Sequence, residues 1–85
     1  MGFYVITEIF ESKLNGAYTT TNNHVRDYDE AINMFLMRSM MLMNAANCSK
    51  IIKQNFNAEE CYGFTKVELD NGCTIEIAMS KLSLV

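Results

Sequence analysis

The residues able to do chemistry are few and scattered. His24 is the one histidine of the 85-residue chain. Base or nucleophile work needs its imidazole tied to a Ser, Cys or Asp at a recognisable spacing, and its surroundings, TTTNNHVRD (19–27), provide none. Cys48, Cys61 and Cys73 are odd in number and lack CxxC spacing. A zinc site built from them with His24 would lack finger or ribbon separations, and reduced cytosolic thiols are the better reading than a secreted disulfide framework. Glu59 and Glu60 sit in a polar stretch and read as solvated charge rather than an acid/base pair. Gly2, Gly16, Gly63 and Gly72 are dispersed and mostly at turns, so no glycine-rich phosphate loop exists. The expectation is a protein that is not an enzyme, with no catalytic residues, metal or cofactor.

A different chemistry stands out in MFLMRSMMLM (34–43), which holds five of the seven methionines. Thioethers could serve as soft copper ligands, as flexible core, or as an adaptable surface for a partner. Which one applies depends on the elements that carry them.

Composition bounds those elements. The chain makes one domain, 1–85, whose core is marginal for its size, and 49% hydrophobic residues are too many for disorder. A net charge of -3 argues against direct nucleic-acid binding and against an anionic membrane surface. No apolar run reaches membrane-spanning length. The apolar beginning lacks a basic leader and meets Glu8 and Glu11 early, so it does not read as a signal peptide. Gly2 fits a myristoylation motif but Ile6 stands where Ser or Thr is required. A soluble, cytoplasmic protein is expected.

FYVITEIFE (3–11) is β-branched and aromatic, with neither face properly polar, which predicts a central strand with both faces at least partly covered. Asn15-Gly16 supplies a turn, and AYTTTN returns as a more polar strand nearer an edge. Asp27 caps a helix, with Glu30 as its partner, and the helix should run to about Ala46 or Asn47. SKIIKQNF (49–56) is ambiguous: continued as helix, Ile51 and Ile52 would leave the apolar stripe, which favours a break and a short strand. FTKVEL-DNG-CTIEIAM closes as a hairpin. A three-residue Asp70-Asn71-Gly72 loop, rather than a two-residue turn, pairs Val67 with Ile75 and gathers Thr65, Val67, Leu69, Cys73, Ile75, Ile77 and Met79 on one face. The predicted fold is α+β: an antiparallel sheet of four to five strands with one long helix packed across one face, in the order ββα then two or three strands.

Wound at about 100° per residue, Tyr28, Ala31, Ile32, Phe35, Leu36, Leu42, Met43 and Ala46 make a stripe interrupted by Ser39. Met34, Met37, Met40 and Met41 fall on the other side, with Met34, Met37 and Met41 as a continuous ridge. Burial on both sides is hard for so short a chain, and a copper site usually mixes in His or Cys, which the ridge lacks. The ridge, with Asn44, is expected to be a protein interface, with a two-fold pairing of the chain with itself as the simplest homo-oligomer. A second candidate site is the polar stretch before the helix. There Thr21, Asn23, His24 and Arg26 could add donors to the helix N-terminus and bind a phosphate-bearing ligand; the alternative is an exposed connection whose Asp27 only caps the helix.

YVITEIFESKLNGAYTTT followed by DYDEAINMFLMRSM resembles small accessory proteins of phages and mobile elements of Firmicutes-type bacteria, over residues 3–46 and less clearly in the final hairpin. Those open with a YYVITEI-type strand, a hairpin and a polar strand, then a D/E-x-A-hydrophobic helix start. The resemblance implies a non-enzymatic protein acting in the host cytoplasm, inhibiting a host defence component (anti-CRISPR or similar) by stoichiometric association. The alternative it allows is an oligomeric sponge for a nucleotide immune signal, and a structural or regulatory assembly module is the third reading, left if no partner is found.

Overall fold

A computed structural model describes residues 2–83. Five strands and one helix follow in the order β1 (Gly2–Glu11), β2 (Tyr18–Val25), α1 (Tyr28–Met43), β3 (Cys48–Asn57), β4 (Tyr62–Leu69) and β5 (Thr74–Ser83). The strands form one antiparallel sheet in the order β2-β1-β5-β4-β3, and α1 lies across one face. The fold class, the strand count and the central place of β1 are those expected from the pattern.

The turn chemistry sets the registers. Gly16 takes φ +67 and donates its N–H to Ser12 O, while the Asn15 side chain accepts from Ala17 N–H. In the last hairpin Gly72 has φ +84, Leu69 N–H donates to Cys73 O, and Val67 faces Ile75. This is the three-residue loop that period-two burial requires. Thr65, Val67, Leu69, Cys73, Ile77 and Met79 are buried beneath the helix side.

Three features depart from the sequence reading. The helix ends at Met43, because Asn44 caps it: its N–H and its Nδ2 both donate to Met40 O, and Ala46 lies beyond the helix and exposed. The polar strand runs on to Val25, so Thr21, Asn23 and His24 belong to an edge strand rather than to a loop. Third, β1 is covered by α1 on the face of Tyr4, Ile6 and Glu8; no second layer lies over Phe3, Val5, Thr7 and Ile9 among the described residues, which are half-buried by their neighbours in the sheet. The break before Ile51 and Ile52 does occur, and β3 spans ten residues with two register shifts.

The main core joins Ile6, Val25, Ala31, Phe35, Ile77 and Met79. A second cluster of Val67, Leu69 and Cys73 packs with Leu42, Met43, Cys48 and Ile75 at the other end of the helix. Phe35 stacks on Phe56 with centroids 5.9 Å apart, and it fills the space above Gly63, where a Cβ would lie 2.5 Å from its ring. Gly63 is therefore a packing residue inside β4, not a turn residue. Asp27 accepts from Glu30 N–H as the N-cap, and Tyr28 Oη donates to Ala58 O, pinning the start of α1 to the β3–β4 turn. Cys61 ends that turn with φ 53 and is buried.

Candidate interaction surface on the helix

The outer surface of α1 follows from which residues the sheet claims. Ala31, Phe35 and Ser39 point into the sheet and are buried. Leu36, Met37, Met40 and Met41 are left outside: Met37, Met40 and Met41 are 64%, 58% and 70% exposed, and Leu36 36%. Arg38, the charged residue within this span, is half-buried and donates from Nη1 to Glu8 Oε2 at 2.6 Å. The second half of the helix therefore presents an apolar surface whose one charged side chain, Arg38, is half-buried and paired with Glu8. Soluble proteins rarely leave such a patch on a regular element without a use for it.

The expected ridge is split by the structure. Met34 is half-buried and packs against the main core, so it is shared between core and surface, while Met37 and Met41 are open. Together with Glu8 of β1, Arg38 and Leu42 these residues line a groove of about 350 Å³. Nearer the helix start, Met34 and Met37 border a shallower depression with Asp27, Asp29, Glu30 and Asn33. Asn44 is exposed but committed to capping.

The four residues considered for anion binding are not brought together. Register places Thr21 and Asn23 opposite Glu8 and Ile6, on the helix side of the sheet, while His24 pairs with Val5 on the other side, where its ring lies 5.3 Å from Phe3. Arg26 follows the strand and is exposed. Period-two geometry separates neighbours that a loop would have let converge.

The three thiols likewise do not converge on one place. All three are free; Cys48 and Cys73 share the second cluster and Cys61 sits beside Tyr4. Partial burial raises the Tyr4 hydroxyl above its ordinary value of 10.0, and Cys61 next to it pushes the same way. Among the described residues no group of three or more His, Cys, Asp or Glu side chains is placed to hold a metal ion, and no helix is long and apolar enough to cross a membrane. Comparison with known proteins finds no matching family model, curated protein or solved structure.

Proposed function

We propose that the protein is a non-enzymatic binding protein that inhibits a host defence component, of the CRISPR or a similar system, by stoichiometric association through the outer face of α1. The observation that carries it is the exposed apolar surface of Leu36, Met37, Met40 and Met41. Methionine suits a protein interface because its unbranched, polarizable side chain repacks against varied surfaces. The resemblance to phage accessory proteins supplies the class of partner.

The test is a phage-plating assay in bacteria carrying an active interference system, with the protein expressed in trans. The wild type restores plating and Met37→Glu with Met41→Lys abolishes the rescue while circular dichroism stays unchanged. Failure of the wild type to protect phage across a panel of defence systems refutes the assignment.

A further inference from the structure

We propose that β2 pairs with β2 of a second copy of this chain, antiparallel about a two-fold axis at Thr21, extending the sheet to ten strands. This goes beyond the binding function above and does not depend on it.

The two sheet edges differ in kind. Proteins blunt an exposed edge with bulges, charge or proline, because unpaired backbone groups recruit another strand. The β3 edge is blunted in this way: two register shifts interrupt it, and Lys50 and Lys53 lie along it. The β2 edge carries no such device. Its eight residues pair with β1 without a shift, and residues 14–25 contain no Asp, Glu, Lys, Arg or Pro in a chain that is 20% charged.

The phase of the ladder fixes which groups are unpaired. Ser12 N–H donates to Ala17 O, and hydrogen-bonded pairs recur every second residue in an antiparallel ladder. Thr19, Thr21, Asn23 and Val25 therefore bond to β1, and Tyr18, Thr20, Asn22 and His24 turn their N–H and C=O groups outward. A two-fold arrangement pairing Tyr18 with the partner's His24 and Thr20 with the partner's Asn22 matches every outward donor with an acceptor, about eight hydrogen bonds in all. Thr21 then faces the partner's Thr21 at the closer, non-hydrogen-bonded spacing, a favourable cross-strand pair.

Charge and area favour a second copy as the occupant. Two chains of charge -3 repel, and this uncharged run is where they approach most closely at least cost. Antiparallel pairing also sends the acidic first helical turns, with Asp29 and Glu30, to opposite ends of the dimer. Arg38 binds Glu8, and Glu8 pairs with Thr21, so the methionine-lined groove lies level with the axis. A two-fold axis normal to the sheet puts both helices on one face, and the flanks of Met34, Met37 and Met41 confront each other across it. Their apolar surface brings the strand contact towards the ~800 Å² per partner of a standard interface.

Thr21→Cys under mild oxidation tests the register, since a non-hydrogen-bonded pair has a disulfide's Cα separation. A covalent dimer is expected, while Thr20→Cys, facing the partner's Asn22, cross-links no more than the wild type. Thr21→Lys opposes two ammonium groups on the axis. With Thr21 exposed in the single chain, it should return the mass by light scattering to the 9.7 kDa of one chain with an unchanged circular dichroism spectrum. A wild type that is monomeric at hundreds of micromolar overturns the proposal. So does a dimer that survives Thr21→Lys but is split by Met37→Glu with Met41→Lys, which would place the contact on the helix. Failure of the wild type to protect phage leaves these outcomes unchanged, and loss of the dimer in Thr21→Lys leaves the exposed methionines in place, so the two proposals fail separately.

Discussion

Gly63→Ala should destabilise this protein although it adds one methyl group to a β-strand, where alanine is ordinarily the better residue. The new Cβ would lie 2.5 Å from Cε2 and Cζ of Phe35, so the ring has to retreat by roughly 1 Å to reach ordinary contact distance. It has nowhere free to go. Phe35 is 1% exposed, held by Ile6, Ile77 and Met79, with Phe56 stacked at an interplanar angle of 11°. Overpacking of a close-packed interior costs about 1–3 kcal/mol, and the loss of glycine's freedom in the unfolded chain offsets about 0.4–1 kcal/mol of that. A net loss of about 1–2 kcal/mol remains, and at roughly 4–8 °C per kcal/mol for a domain this small the midpoint falls by about 4–16 °C. Urea titration followed by circular dichroism should show the shift with an unchanged slope. Phe35→Leu should be less harmful in the Gly63→Ala background than in the wild type, because the smaller side chain vacates the space the methyl needs. A neutral or stabilising Gly63→Ala, or an identical Phe35→Leu penalty in both backgrounds, refutes the close approach.

The remaining predictions concern other parts of the helix–sheet layer. Met37→Glu with Met41→Lys should alter stability by no more than about 0.5 kcal/mol, as exposed substitutions do, whereas Phe35→Ala should cost about 3–5 kcal/mol or prevent folding; chemical denaturation compares them. Thr65 is fully buried and its Oγ1 has no hydrogen-bond partner, so Thr65→Val should raise stability by about 1 kcal/mol, read from the same titrations. The raised Tyr4 hydroxyl implies a pH dependence. Its protonated form is favoured in the fold, so its contribution is complete below the unfolded value of 10.0 and is lost as pH rises above it. Tyr4→Phe should flatten that alkaline decline in thermal melts between pH 9 and pH 11; an unchanged slope would assign it to other groups.

The parts of this fold that were legible in the sequence are those where periodicity and turn chemistry agree. DNG between two alternating strands allowed one register that buries a whole face, and Val67 opposite Ile75 is that register. Ile51 and Ile52 could not stay on a helical stripe, and they lie on β3. Ser39 read as an interruption of the stripe, yet it is among the three buried residues of α1, because a helix centre laid close against strands has room only for a small side chain. Met34 lies at the margin of the stripe, where helical angle alone does not separate core from surface; its packing against the main core depends on where the sheet ends. His24 and Arg26 looked like neighbours in a loop because TTTNNH is polar enough for one, but β-branched threonines suit an edge strand equally well. Gly63 carried a signal that went unused: a glycine within an otherwise strand-like stretch marks a close approach.

The seam between β1 and β5 decides how the chain reaches this fold. It runs the full length of both strands, from Gly2 opposite Ser83 to Glu11 opposite Thr74, and among the described residues it is the one strand pairing that joins the half made of β1, β2 and α1 to the half made of β3, β4 and β5. Sequence-distant pairings form slowly, since loop closure comes before any gain from contact. On the ribosome, β1 emerges before β5 and waits for it, so FYVITEIF keeps one edge open while the intervening elements are made. Such a β-prone segment with an open edge is a nucleus for aggregation. Weakening the β4–β5 hairpin should therefore be felt first as insoluble protein in the cell, before any change in the melting temperature of the fraction that folds.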